Sequence, residues 1–454
     1  MTRKHIRILF CSGLLFFASA AGAQSKLPKV EFSDTTLENG LRVIIVADHF
    51  APVVSAALTY NTGSRNEKPG RTGFAHLFEH MMFQGSTNVG KGEHMLLIQN
   101  YGGTLNGSTN NDQTNYFEEL PKNQLDMALF LEADRMRGLN ITPANLDNQR
   151  NAVQEERRLR LDNQPYGKSA EELESMAYDN FPYHHSVIGS MEDLNAASLD
   201  DVKDFFRVYY APNNAVLVVV GDIEPRDALV KVKKYFGDIP RQPAPPAVNI
   251  TEPDHEKERR KTLEDQLARL PRYQAVYNVP PGNTPDSYAL QVLAGVLSTG
   301  RSSRFYQHLV SDKQLAVNVF AFNQGRRGPG LFSVTATPRP GVKVEDLEKA
   351  VDEEIEAVKK DGITAQELEK VRTQILRQQI QTRSSSLFLA TSIGSYTVYY
   401  NEPGLVNTAY GKLSAVTAEQ VQQAARKYLV PAHRSVVITM PAGRPAAAAP
   451  SGMR

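Results

Sequence analysis

The sequence predicts an α+β protein of two duplicated domains, each a mostly antiparallel sheet with helices packed on one face. Three observations lead to this prediction. The segment 198–223 resembles the segment 417–442, strands precede helices within each half, and a proline-rich segment (240–253) separates the halves. Each resembling segment opens with an N-cap residue, continues as an amphipathic helix and passes through X-Pro into a β-branched strand. Such self-similarity indicates duplication, although two unrelated helix–turn–strand units share the same pattern.

The first 23 residues have the pattern of a cleaved signal peptide. A basic stretch, "MTRKHIR", precedes the apolar run "ILFCSGLLFFASA" and an A-x-A cleavage signal at 21–23. The apolar run is too short to anchor the chain in a bilayer. We therefore expect a mature protein that begins near Gln24, has no membrane anchor and reaches the periplasm. The single cysteine, Cys11, lies in this segment, so the mature chain must bind any metal through His, Asp and Glu.

The remaining elements follow in order. In the first domain (24–239), "TTLENGLRVIIVAD" and "APVVSAALTYNTGSR" are typical of a strand pair. A helix containing "HLFEH", the strand-forming "LNGSTNNDQTNYF" and two helical stretches come next. We predict a Pro-rich and charged linker (240–262), a homologous second domain without a metal site (263–443) and a disordered tail (444–454).

The charge composition narrows the classes of partner. The chain has 51 basic and 50 acidic residues, and its net charge is +1. A balance of this kind gives no basis for a nucleic-acid partner, because such proteins usually concentrate positive charge. The sequence therefore favours a soluble protein whose function depends on a local site.

The "HLFEH" helix places polar residues in an otherwise apolar run. The four-residue spacing puts His76 and His80 on one helix face, with Glu79 beside them. Two imidazoles so placed can bind one Zn²⁺, and Glu79 can accept a proton from a water. The alternative is a pair of histidines satisfied by hydrogen bonds in the core. For a third ligand, "NQRNAVQEERRLR" offers Glu155 and Glu156, and the residues alone do not choose between them.

Together these motifs resemble the pitrilysin/insulinase family (M16) of inverted-motif zinc metallopeptidases, whose pattern is H-x-x-E-H. The chain is similar in particular to short two-domain bacterial members and to mitochondrial processing peptidase subunits. The resemblance covers nearly all of the mature chain, including "TGFAHLFEHMMFQGS", "NQRNAVQEERR", "YYAPNNAVLVVVGD" and "LAGVLSTGRSSRFYQHLVSDKQLA". It implies half of a clamshell fold, one Zn²⁺ per chain, and hydrolysis of unfolded or short peptides.

The resemblance also implies roles for individual residues. His76 and His80 would be zinc ligands and Glu79 the catalytic base. The family's Ala-Val-x-x-Glu block, here 152–156, selects Glu156 as the third ligand.

A position seven residues before the third ligand often carries another glutamate in the family. In this chain the position is Gln149, which we expect to tune the metal site by hydrogen bonding to its ligands. The "LNGSTNNDQTNYF" stretch matches an edge strand onto which an extended peptide adds. On this stretch we expect substrate contacts at three residues: Asn106, Thr109 and Tyr116.

The second half departs from the pattern of long, single-chain members. Those members place an arginine and a tyrosine over the active site, at positions that read Val310 and Val317 here. Neither valine can donate a hydrogen bond to an oxyanion. The resemblance therefore implies a paralogous M16 subunit that supplies this Arg/Tyr clamp in a heterodimer. Arg304 and Tyr306 look like structural residues rather than substitutes.

Two alternatives stay open. One is a self-sufficient homodimeric peptidase in which other residues replace the clamp. The other is a non-catalytic scaffold subunit that only binds peptides. The intact Glu79 argues against a scaffold, because a scaffold needs no general base.

Overall fold

The computed structural model describes residues 27–443 of the chain. The predicted signal peptide (1–23) and the predicted tail (444–454) lie outside the described residues. Within them, the chain forms two sheets, one in each half, and both are flanked by helices. The prediction of an α+β fold with two related halves is confirmed.

In the first half, the described residues form six strands and nine α-helices. The strands are β1 (Ser33–Thr36), β2 (Arg42–Ala47), β3 (Val53–Tyr60), β4 (Thr104–Thr109), β5 (Thr114–Pro121) and β6 (Ala215–Gly221). The helices are α1 (Phe74–Met81), α2 (Glu93–Asn100), α3 (Leu125–Arg137), α4 (Pro143–Arg157), α5 (Gly167–Ala177), α6 (Phe181–His184), α7 (Met191–Ala196), α8 (Leu199–Tyr209) and α9 (Pro225–Phe236).

In the second half, the residues described up to 443 form five strands and six α-helices. The strands are β7 (Arg259–Asp265), β8 (Arg272–Val279), β9 (Ala316–Gln324), β10 (Gly330–Pro338) and β11 (Arg434–Pro441). The helices are α10 (Pro285–Ser298), α11 (Val344–Asp361), α12 (Ala365–Arg383), α13 (Ser386–Tyr400), α14 (Leu405–Ser414) and α15 (Ala418–Tyr428). The strand β7 begins at Arg259, inside the range 240–262 that the sequence predicts as linker. Within the predicted linker, residues 240–258 contain neither helix nor strand.

Within residues 27–443, the second sheet repeats the topology of the first, but it has no strand equivalent to β1. The first has the order β1-β2-β6-β3-β5-β4, and the second β7-β11-β8-β10-β9. Only β2 with β6, and β7 with β11, run parallel, and all other neighbours are antiparallel. The strand β4 lies at the edge of the first sheet, paired along one side with β5.

The repeated segments that predicted the duplication form matching units. Ser198 and Thr417 each begin a helix with a reciprocal capping box. Each helix is followed by a short 3₁₀ turn that starts at Pro212 or Pro431 and leads directly into a strand. Local residue chemistry thus builds α8–β6 and α15–β11 in the same way.

Each sheet has a main core on the face covered by helices of its own half. On the opposite face, each is covered by a helix of the other half. Ala390 and Ile393 of α13 pack with Val218 of the first sheet. Gly394 allows this approach, since a Cβ there would lie 2.5 Å from Thr59 Oγ1.

In return, α5 of the first half covers the second sheet, where Leu173 and Ala177 pack with Val276 and Val437. We call this arrangement, α13 on the first sheet and α5 on the second, the helix exchange.

Candidate metal centre

The helix α1 carries the sequence motif on its half-exposed face. Its opposite face, which includes Phe74, Leu77 and Phe78, is buried in the core of the first half. This burial fixes the rotation of the helix and leaves His76 and His80 on the side that faces α4. The centroids of the two imidazole rings are 4.8 Å apart. The motif therefore presents two nitrogen donors from one rigid helix.

A third donor comes from α4. The Oε2 atom of Glu156 lies 3.6 Å from His76 Nε2 and 3.3 Å from His80 Nε2. Glu155 instead points to solvent and pairs with Arg158. Of the two glutamates left open by the residues, the structure thus places Glu156 beside the histidines.

The three donors fit a zinc ion. Ligand atoms about 2.0–2.2 Å from a tetrahedral zinc are roughly 3.3 Å from each other, close to the observed separations. Burial lowers the pKa of His76 to about 3, helped by the positive charge of His80 and Arg160. Burial also lowers the pKa of His80. Both imidazoles are therefore neutral at pH 7, which is the form that binds metal.

Two further side chains lie near the donors. Arg160 Nη1 lies 2.6 Å from Glu156 Oε1, so Oε2 is left to face the histidines. Gln149 lies about two turns before Glu156 on α4, is buried, and donates a hydrogen bond of 2.7 Å from Nε2 to Asn148 Oδ1. Its expected role in tuning the ligands stays a prediction.

Glu79 lies between the donors and the edge strand β4. Thr109 Oγ1 donates a hydrogen bond of 2.6 Å to Glu79 Oε2. Burial raises the pKa of Glu79 to about 7, although the Thr109 hydrogen bond opposes the rise. A Cβ added at Gly107 would lie 3.0 Å from Glu79 Cγ, so the backbone of β4 passes directly over this carboxylate. A carboxylate of this kind can exchange protons near neutral pH.

The three residues expected to contact substrate have different positions. Asn106 is exposed on β4, where its Oδ1 accepts a hydrogen bond from Gly107 N at 2.9 Å. Thr109 binds Glu79, so it orients the carboxylate. Tyr116 is fully buried, and its position contradicts the expectation of a direct substrate contact.

Tyr116 is a core residue for a clear physical reason. Successive side chains of β5 point to opposite faces of the sheet, and that of Tyr116 points to the helix-covered face. There the Arg135 guanidinium lies 4.3 Å from the centroid of the Tyr116 ring. Its hydroxyl is 3.3 Å from the Tyr210 hydroxyl. The aromatic ring and the cation therefore stabilise each other away from solvent.

Sequence reasoning missed Glu67, which fixes the start of α1. Its Oε2 accepts a hydrogen bond of 2.9 Å from the backbone N–H of Gly73, and its Oε1 accepts one of 2.7 Å from that of Ala75. The N-cap residue Gly73 has no side chain to do this. The available signal was a glutamate shortly before a helix that opens with glycine.

We expect Glu67→Ala to destabilise the protein by about 1–3 kcal/mol, because two buried N–H groups lose their acceptor. Zinc binding should weaken as well, since the helix that carries both histidines loses its anchor. Denaturant unfolding and zinc affinity measure the two effects. Glu38→Ala, at an exposed glutamate of the same half, is the control. Unchanged stability and zinc affinity in Glu67→Ala would contradict the assignment.

The clamp positions of the second half offer no donors. Val310 is partly buried against the core of the second half, and Val317 is exposed on β9. The guanidinium of Arg304 is held by both carboxylate oxygens of Glu367, at 2.6 and 2.9 Å, and donates to the carbonyl of Gly362. This matches the structural role expected for Arg304.

Two histidines from one helix and a glutamate from another are typical of metal-dependent hydrolases. Residues 42–190 match the insulinase family (peptidase family M16), and residues 196–375 match the peptidase M16 inactive domain. The chain belongs to peptidase family M16. The domain described as inactive corresponds to the part of the chain without an H-x-x-E-H motif.

Individual relatives agree with this assignment. The zinc protease PqqE of Helicobacter pylori is 34% identical over 406 residues, covering 88% of this chain and 91% of that protein. A crystal structure of a protease from Helicobacter pylori has a TM-score of 0.87 at 31% identity, covering 91% of this chain and 100% of that chain. A probable mitochondrial-processing peptidase subunit beta of Arabidopsis thaliana is 22% identical over 404 residues, covering 87% of this chain and 76% of that protein. These relatives support a peptidase.

Between residues 27 and 443, no helix combines the length and the apolar composition needed to cross a bilayer.

Proposed function

We propose that this protein is a zinc metalloendopeptidase in which His76, His80 and Glu156 hold one Zn²⁺ and Glu79 is the general base. The observation that carries the proposal is the convergence of the three donor atoms within 4.8 Å of one another, beside the half-buried carboxylate of Glu79. The match to family M16 and the relatives named zinc proteases support it.

A zinc ion at this position supplies Lewis-acid chemistry, because it lowers the pKa of a water and polarises a carbonyl. Glu79 accepts the proton of the attacking water and returns it to the amine that leaves. Burial, which raises the pKa of this carboxyl group, favours its taking up a proton. Thr109 keeps the carboxylate in one orientation during this exchange. Arg160 holds Glu156 in place through the ion pair between them.

The substrate is an unfolded or short peptide that adds to the edge strand β4. Among the described strands, β4 pairs only with β5, so its outer backbone groups are free to bind an extended chain. Because β4 passes over Glu79 at Gly107, a peptide added there runs beside the metal donors. Asn106, exposed on β4, is suited to contact it.

The chain works as the zinc-bearing subunit of a heterodimer. Val310 and Val317 stand where donors to the oxyanion are needed, and Arg304 is engaged by Glu367. A paralogous M16 subunit with an arginine and a tyrosine at these positions would complete the site. The second candidate is a homodimer, in which a copy of this chain closes the chamber.

The N-terminal pattern of "MTRKHIR", an apolar run and an A-x-A signal favours export and cleavage near Gln24. We therefore place the protein in the periplasm. Absence of cysteine from the mature chain is compatible with that oxidising compartment.

A comparison of two neighbouring glutamates tests the ligand set. We expect Glu156→Gln to bind zinc at least about 100-fold more weakly, because loss of a ligand exceeds the roughly 10–100-fold effect of a supporting partner. Glu155→Gln should retain the metal, since Glu155 faces solvent and pairs with Arg158. Zinc content after dialysis against a chelator buffer measures both. Equal zinc loss in the two variants would reject Glu156 as a ligand.

A further inference from the structure

A second group of metal-binding side chains lies far from α1 along the chain. Asp179 follows the C-terminal end of α5, and Glu252 and His255 belong to the connecting segment 240–258. We propose that these three residues form a second Zn²⁺ site, which fastens the connecting segment to the first half. It is independent of the proposed peptidase site.

The state of His255 is the first support. The residue is only 7% exposed, and neither of its ring nitrogens has a hydrogen-bond partner within residues 27–443. Burying an unpaired imidazole is costly, so such a group requires an explanation. A metal bound by one ring nitrogen provides it.

Donor spacing is the second support. His255 Nε2 lies 3.6 Å from Glu252 Oε1 and 3.9 Å from Asp179 Oδ2. A charge-assisted hydrogen bond would close these gaps to about 2.7–2.9 Å. The observed separations instead resemble the 3.3 and 3.6 Å that join the histidines to Glu156 at the candidate metal centre.

The carboxylates are oriented in advance. The Glu252 carboxylate accepts a hydrogen bond of 2.6 Å from the backbone N–H of Asp179 and one of 3.1 Å from the backbone N–H of Asn180. Arg259 holds Asp179 with two hydrogen bonds of 2.8 and 2.7 Å. Each carboxylate oxygen has a second lone pair available for a metal.

Arg259 also sets the strength of the site. Its charge offsets one of the two carboxylates, so the cluster attracts a divalent cation less strongly than two free carboxylates would. The candidate metal centre has a similar arrangement, with Arg160 on Glu156. Since His255 offers a single imidazole, zinc should bind here more weakly than between His76 and His80.

The location gives the site a structural role. Asp179 lies directly after α5, the helix that covers the second sheet, and Arg259 opens the first strand of that sheet. A zinc ion between Asp179, Glu252 and His255 would cross-link residues more than 70 positions apart, as the hydrogen bond of Asp179 N to Glu252 already does. The connecting segment would thereby be held against the first half.

Zinc alone is the probe for the test. With the metal removed and then restored at saturating free Zn²⁺, the unchanged chain should bind two ions and His255→Ala one. In a chain with His76→Ala and His80→Ala, one ion should remain, and adding His255→Ala should remove it. Zinc should raise the melting temperature of the double variant but not of the triple variant. His184→Ala, at an exposed histidine five residues after Asp179, is the matched control and should keep the second ion.

Either of two results would overturn the proposal. One is a double variant that binds no zinc, which would leave the cluster as an ion pair only. The other is zinc binding that survives unchanged in the triple variant. Should His255→Ala fail to fold, Glu252→Gln replaces it, with folding checked by circular dichroism, and the same stoichiometries apply. Because the double variant lacks the peptidase site, the result does not depend on peptidase activity.

Discussion

Replacing Glu79 with glutamine should lower kcat by about 10²–10⁴-fold, the usual contribution of a general acid–base group. Glutamine preserves the shape of the side chain and can still interact with Thr109, whereas it cannot accept a proton from water. His76, His80 and Glu156 are unchanged in this variant. Zinc content should therefore stay at one ion per chain at the candidate metal centre.

Peptide hydrolysis and zinc content must be measured on the same preparation. Glu155→Gln is the matched control, because it makes the same chemical change on a neighbouring, solvent-facing side chain. If Glu79→Gln hydrolyses peptides at nearly the rate of the unchanged chain, Glu79 is not the base. If it loses zinc, the substitution has disturbed the ligands, and the kinetic result must be compared with a His76→Ala variant.

The second large effect concerns the clamp. The zinc-loaded chain alone should be a weak or inactive peptidase, because Val310 and Val317 cannot donate to an oxyanion. Removal of one such donor costs about 10²–10³-fold in rate. Adding a paralogous subunit with the arginine and the tyrosine should restore at least that factor.

The assay compares the chain alone, the partner alone and the mixture at several ratios. Activity should reach its maximum at one partner per chain. A mixture made with Glu79→Gln should stay inactive, which shows that the catalytic base comes from this chain. Full activity of the chain alone, unchanged by the partner, would favour the homodimer and reject the heterodimer.

The parts of the molecule that follow from local sequence were predictable. The spacing of His76 and His80 determines a shared helix face whatever surrounds it. Cap residues and X-Pro turns produced the two matching helix–strand units, because they act within a few residues.

Other features depend on contacts that no local pattern records. Tyr116 belongs to a polar stretch, yet it is a core residue. Its side chain points to the helix-covered face of the sheet and contacts Arg135, which is distant in sequence. The choice between Glu155 and Glu156 depends on the rotation of α4 against α1, which a single helix does not define. The strand β7 forms from a charged run because it pairs with β11, about 175 residues later, and not because of its own propensity.

The helix exchange has a consequence for how a substrate gains entry. Swinging the two halves apart would strip α13 from Val218 and α5 from Val437, and would expose both apolar sheet faces to water. Opening of this kind would therefore be costly, and we expect the two halves to stay packed against each other. For the heterodimer proposed above, we expect substrate to enter at the seam between the two chains. Substrate entry and product release would then depend on how tightly the two chains associate. A mutation that strengthens their association would slow turnover without changing the zinc ligands.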